Sequence, residues 1–138
     1  MRTALSAILT IVADLTLKFF ILRSGIPVIK NTGLAFSLPA APEAALIFQA
    51  AIMAALLFLY FFLGVKNANR ISQIGWGFIF GGASGNLLER IVRGFVTDYI
   101  PVALSSLNLA DLAILIGVAL IALHQFFNSK PKNHADAN

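Results

Sequence analysis

The chain has 138 residues, 59% of them hydrophobic and only 12% charged, with a mean hydropathy of +0.86. That balance lies well outside the usual composition of a soluble domain and calls for lipid around the chain. The formal charge of +4 is spread over both ends and the loops without a dense basic tract, which argues against a nucleic-acid partner. Cysteine is absent, so disulfides and thiol nucleophiles are excluded; with two histidines, His124 and His134, and no HExxH pattern, no metal or other cofactor is expected.

Four apolar runs, about residues 4–22, 44–65, 71–88 and 107–127, are each close to the roughly 20 residues needed to cross hydrocarbon. They predict an all-α membrane protein, a four-transmembrane-helix up-and-down bundle forming one domain over residues 1–127, with residues 128–138 as a frayed polar tail. The first run follows Arg2 and could pass for a signal peptide, but Asp14 and Lys18 interrupt it and no small-x-small cleavage site follows, so it reads as a retained span. Within it Ser6, Thr10, Asp14 and Lys18 recur every four residues as one polar stripe that must face protein. A structural ion pair fixing helix packing is the favoured reading of Asp14 and Lys18 over direct catalysis.

The first and third connections contain Gly and Pro, as irregular interfacial segments would, whereas the second, residues 66–70, is short and polar. The third run carries Gly77, Gly81 and Gly85 at four-residue spacing, a packing seam for another helix. It leads into Asn86, Glu89, Arg90 and Arg93; the arginines either snorkel at a helix end or, for Arg90, brace loop carbonyls or carboxylates. Residues 95–101 favour an extended conformation, and this segment holds Asp98. Asn108 with Asp111 three residues later looks like an N-cap with an acidic third position, so the plain account of Asp111 is a cap carboxylate on the helix dipole.

An up-and-down order brings the end of helix 1, the end of helix 3, the start of helix 4 and loops 1 and 3 to one membrane face. That face gathers Asp14, Lys18, Asn31, Asn86, Glu89, Arg90, Asp98, Asn108 and Asp111, each ionisable group costing ~2.5–3.5 kcal/mol at a helix centre, so a site is expected there. Five Lys and Arg on the side of the termini against four on the other barely favour termini in the cytoplasm. Two carboxylates meeting in a poorly solvated pocket tend to share one proton, the ionised one activating water and the protonated one polarising a carbonyl. Asp111, at a positive helix end, is expected to be the more readily ionised partner of Asp98.

The chain resembles the lipoprotein signal peptidase (signal peptidase II) family over nearly its whole length. The residues that carry this are Asp14-Leu-Thr-Leu-Lys18, Asn31-Thr-Gly-Leu-Ala-Phe-Ser37, Gly81-Gly-Ala-Ser-Gly-Asn86 running to Arg90, Val96-Thr-Asp98-Tyr, and Asn108-Leu-Ala-Asp111. The resemblance implies an aspartic endopeptidase with Asp98 and Asp111 catalytic, and Asp14, Lys18, Asn31, Gly33, Asn86, Arg90, Asn108 and Ala110 supporting them or contacting substrate. It implies a small extended or β-like platform in loop 1, a lid near Asp98, and a lipid path at Gly33 and Ala35. It also implies a diacylglyceryl-modified bacterial prolipoprotein as substrate, cut before its lipid-bearing cysteine at the outer face of the cytoplasmic membrane; a monomer in contact with membrane lipid is expected. The chain departs from the family in a short stretch at residues 23–30, a compact link from Asp98 to Asp111, and Glu89 where an Asp commonly precedes the arginine.

Three rivals remain. A rhomboid-like serine peptidase would pair Ser84 with His124, but His124 lies ~25 Å down helix 4 at 1.5 Å per residue. A proton-coupled transporter predicts acids in both membrane halves and broken or repeated helices, and neither is visible. A noncatalytic lipid or peptide binder of the same fold is countered only by the retained Asp pair.

Overall fold

The computed structural model describes residues 1–34, 38, 40–62, 69–103 and 105–128. Four long helices, α1 (Arg2–Ser24), α2 (Pro42–Phe62), α3 (Arg70–Arg93) and α4 (Leu109–Asn128), alternate with short strands: β1 (Ile29–Asn31) after α1, then β2 (Val96–Asp98), β3 (Ile100–Val102) and β4 (Ser105–Leu107) between α3 and α4. The helices α1, α2 and α4 are long and apolar enough to cross a membrane. The less apolar α3 is the axis of the bundle, with ten residues buried against four in α1, three in α4 and only Ala45 in α2.

Glycine on two faces of α3 explains that central place. A Cβ at Gly77 would lie 1.8 Å from Ser6 Oγ, at Gly81 2.6 Å from Thr10 Cβ, and at Gly85 2.8 Å from Asp14 Oδ2. The glycine seam and the polar stripe of α1 therefore interlock in parallel, residue for residue. On the other face Gly82 meets the Ala110 carbonyl and Gly75 meets Gly117, which sets α4 antiparallel to α3. Tyr60 packs on Trp76 and Phe80 while Gln49 reaches the Ala83 carbonyl, so α2 also runs antiparallel to α3. The outer faces are apolar, as at Ile47, Phe58, Phe61 and Phe62 of α2, all well over half exposed and suited to lipid.

Both α1 and α3 stop at a glycine in the left-handed region, Gly25 (φ 76°) and Gly94 (φ 78°), where other residues are disfavoured. These two stops release the chain into the strands on one end of the bundle. There β1 pairs antiparallel with β2, Ile29 opposite Asp98 and Asn31 opposite Val96, and β3 pairs with β4, Ile100 opposite Leu107.

Several boundaries differ from the sequence reading. The fourth helix begins at Leu109 because Leu107 belongs to β4, and the third continues to Arg93, past the apolar run, where Arg93 pairs back to buried Glu89 one turn earlier. The platform is not made by loop 1 alone: β1 comes from loop 1 and its partner β2 from the third connection. The second connection at residues 63–68, the tail from residue 129, and the Ala35 to Ser37 part of the loop-1 motif lie outside the described residues.

Candidate active site

Three asparagine amides hold two aspartates in one pocket. Asn108 Nδ2 donates to Asp98 Oδ1 at 2.6 Å and Asn31 Nδ2 donates to Asp98 Oδ2 at 3.0 Å. Asn86 Nδ2 donates to Asp111 Oδ1 at 2.9 Å, and the Asn108 backbone N–H donates to Asp111 Oδ2 at 3.1 Å. Each amide is oriented by a donor on its own carbonyl: Gly33 N–H for Asn31, the Lys18 ammonium for Asn86, and Asp111 N–H for Asn108. An amide whose oxygen is already engaged presents its NH2 to the carboxylate.

The reciprocal bonds between Asn108 and Asp111 form a capping box at the start of α4, so the plain reading of Asp111 as a cap carboxylate holds together with its place in the pocket. Asp98 arrives from the end of β2 and is 2% exposed. Burial pushes its carboxyl up to about 6, the charge of Asp111 adding to the rise and the amides of Asn108 and Asn31 opposing it. Tyr99, whose hydroxyl accepts from Leu109 N–H at 3.0 Å, is pushed by burial up to about 12 and stays a neutral phenol.

Behind the pair lies a dry charged cluster. Lys18 is wholly buried; its ammonium donates to Asn86 Oδ1 at 2.8 Å and forms ion pairs with Asp14 at 2.8 Å and Glu89 at 3.1 Å. The other Asp14 oxygen accepts from Ala110 N–H at 3.0 Å, tying α1 to the first turn of α4. Glu89 also accepts from the Thr97 backbone at 3.0 Å, the Thr97 hydroxyl at 2.5 Å and Arg93 at 2.8 Å. Because Thr97 precedes Asp98, Glu89 fixes the strand that delivers the aspartate.

The pocket, about 240 Å³, has both polar and apolar walls. Asn31, Gln49, Asn86, Arg90, Asp98 and Asp111 are among its polar residues, and Leu34, Ala45, Phe48, Ile52, Ile114 and Leu115 among its apolar ones. The remaining expected residues stand behind the wall: Asp14, Lys18 and Asn108 as described, Ala110 through its N–H, and Gly33 through its backbone. Gly33 donates to Asn31, and its carbonyl accepts from Arg90 Nη2 at 2.7 Å. Arg90 thus turns inward to brace a loop carbonyl, whereas Arg93 is a third exposed and returns to Glu89. Among the described residues no cluster of three potential metal ligands forms.

Gln49, Thr97 and Tyr99 were not singled out as site residues by the sequence, and Glu89 was placed on the site face without a role in it. Gln49 carried a signal, as the one polar side chain of its span between Glu43 and Tyr60. The serine-peptidase pairing fails on geometry. His124 hydrogen-bonds with Asn69, which caps the first turn of α3, and with Asn128, while Ser84 lies about four helical turns further along α3.

The family description "Signal peptidase (SPase) II" matches residues 6–127. The chain belongs to the signal peptidase II family. It is 42% identical over 72 residues to the lipoprotein signal peptidase of Cronobacter sakazakii and, equally, to that of Escherichia coli O157:H7. Each match takes in 49% of this chain and 44% of the relative, so the chain spans less than half the length of these curated relatives. Two solved chains titled as bacterial membrane enzyme structures share the fold: one has a TM-score of 0.78 at 23% identity, covering 99% of this chain and 94% of its own. The other has a TM-score of 0.74 at 23% identity, covering 92% of this chain and 94% of its own. Family membership and three apolar helices make this signal peptidase II family member a multi-pass bacterial membrane protein.

Proposed function

We propose that the chain is an intramembrane aspartic endopeptidase that removes the signal peptide from diacylglyceryl-modified prolipoproteins, cutting before the lipid-bearing cysteine. The observation that carries the reading is the pair itself: Asp98 and Asp111 line one pocket with a lipid-compatible wall, and the Asn108 side chain bonds to the carboxylate of one and the backbone N–H of the other. Asp98, whose carboxyl is pushed up to about 6, holds the shared proton and donates to the scissile carbonyl oxygen. Asp111, on the positive end of α4, takes a proton from the attacking water. The gem-diol intermediate collapses as one of its hydroxyl protons returns to Asp98 and the amine is expelled, receiving the proton that Asp111 took from water. Carboxylates alone supply the acid and the base, so hydrolysis proceeds without a cofactor.

In this reading α3 is the fourth span, residues 1–127 are the peptidase domain, and the protein works as a monomer. Both termini are cytoplasmic and the pocket opens near the outer face of the inner membrane, where the acylated cysteine of the substrate is anchored. Asp14, Lys18, Asn31, Gly33, Asn86, Arg90, Asn108 and Ala110 support the pair or contact substrate. Purified protein in detergent or bilayer is tested on a diacylglyceryl-modified prolipoprotein by gel shift. Wild type should cleave, and Asp98→Asn and Asp111→Asn, still folded, should be nearly inert; normal cleavage by either variant would overturn the pair.

A further inference from the structure

Helix α2 supplies much of the apolar wall of the pocket, through Ala45, Phe48 and Ile52, yet Ala45 is its only buried residue. A helix so lightly packed needs specific contacts to keep its place. Its far half has them: Tyr60 donates to Thr3 Oγ1 at 3.3 Å and packs edge-on against Trp76 and Phe80. In the half beside the pocket the only side-chain hydrogen bonds seen among the described residues come from one side chain. Gln49 Nε2 donates to the Ala83 carbonyl of α3 at 3.1 Å, and its Oε1 accepts from Arg90 Nη1. Arg90 in turn holds the Gly33 carbonyl, and its buried Nε has no partner among the described residues.

We propose that Gln49 is a positioning residue that latches the pocket half of α2 onto α3 and so sets the width of the apolar wall that receives the lipid-bearing substrate; this rests on the peptidase reading above. None of the three asparagines that orient the aspartates bonds directly to Gln49, and its nearest route to the pair runs through Arg90, the Gly33 backbone and Asn31, so a shift of the wall reaches the acid pair only at third hand. Loss of Gln49 therefore weakens substrate binding more than it slows the chemical step. A residue needed only for folding would behave differently: it would lower the active fraction, reducing kcat with KM unchanged.

Gln49→Leu keeps the volume and removes both hydrogen bonds, one of them to a charged group. It should raise KM for a diacylglyceryl-modified prolipoprotein by about tenfold, the worth of a lost charge-assisted hydrogen bond, with kcat held within about twofold. A second readout is independent of activity. The chain has no cysteine, so spin labels at introduced cysteines replacing Ile47 on α2 and Ile116 on α4, both exposed, report one distance. Gln49→Leu should broaden and lengthen that distance distribution. An unchanged distribution, or unchanged KM with reduced kcat, overturns the inference. Failure of the peptidase reading shows instead as inactive wild type, and the distance measurement then still decides whether Gln49 latches α2.

Discussion

Asn108 and Asp111 cap each other: the Asn108 side chain accepts from Asp111 N–H at 3.0 Å, and the Asp111 carboxylate accepts from Asn108 N–H at 3.1 Å. The same Asn108 side chain still has an NH2 to give, and it goes to Asp98. Cap and acid pair are therefore separable by substitution. Asn108→Ser retains an N-cap oxygen, and caps of these two types are nearly equal, so stability should change by less than ~1 kcal/mol. The donor to Asp98 is lost, and kcat should fall by about tenfold or more. Thermal unfolding followed by Trp76 fluorescence, beside the cleavage rate, checks both halves; a fully active Asn108→Ser would remove Asn108 from the mechanism.

Asp98 gives the pH dependence its sign. A carboxyl raised by burial from 3.8 to about 6 binds its proton more tightly in the folded chain than in the unfolded one. Its contribution to stability is then full below pH 4 and is lost as pH rises through about 6. In the proposed mechanism Asp98 is the proton-bearing partner and should also own the limb on which kcat/KM falls with rising pH. Asn31 and Asn108 both donate to its carboxylate and lower its pKa, so Asn31→Ala should move that limb upward. A limb that stays in place, or moves down, assigns it to another group.

Much of this site was readable in the sequence because polar residues are conspicuous in apolar spans. The four-residue stripe of α1 and the glycine seam of α3 each announced a buried face, and they prove to be the two sides of one interface. The start of α4 was legible from the Asn108–Asp111 spacing. Long-range pairing left no such mark: nothing in residues 23–34 shows that Ile29 lies opposite Asp98, sixty-nine positions on, since three-residue strands are too short to display an alternating pattern. Glu89 was legible as a partner of Arg93 by helix spacing, but its bonds to Thr97 depend on how the chain turns back after Gly94.

Lys18 donates to Asn86 and pairs with the carboxylates of Asp14 and Glu89, with no exposure to solvent. Lys18→Met fills the space with an apolar chain and leaves buried Asp14 without its cation, while Glu89 keeps only Arg93. Breaking a buried ion pair from one side costs ~3–5 kcal/mol, and Asn86 also loses the donor that orients it toward Asp111. The variant should be the least stable single substitution in the site, and the folded fraction should be nearly inactive. The triple change Lys18→Met, Asp14→Asn, Glu89→Gln should regain stability but not activity, because the charges are gone while Asn86 remains unoriented. Recovery of cleavage in the triple variant would show that the cluster does not act through Asn86.

Two glycines separate packing from chemistry. At Gly81 an added Cβ would sit 2.6 Å from Thr10 Cβ and 2.8 Å from the Ala7 carbonyl, so α1 must move away from α3. Overpacking of this kind costs ~1–3 kcal/mol, and Gly81→Ala should lower the unfolding temperature while the surviving folded protein cleaves at close to the normal rate, since Gly81 lies a full turn from Gly85 and Asp14. At Gly33 the added Cβ would lie 2.1 Å from the Leu38 carbonyl, which itself accepts from Leu34 N–H at 2.9 Å. The loop must open, carrying off the N–H that orients Asn31 and the carbonyl that holds Arg90. The turn is outside the helix contacts, so Gly33→Ala should leave the unfolding temperature within a few degrees of wild type. Its kcat/KM should fall by about tenfold or more, through an Asn31 amide no longer directed at Asp98. The reverse pattern, a stable and slow Gly81→Ala beside an unstable and active Gly33→Ala, would contradict the division between the helix seam and the loop that serves the aspartates.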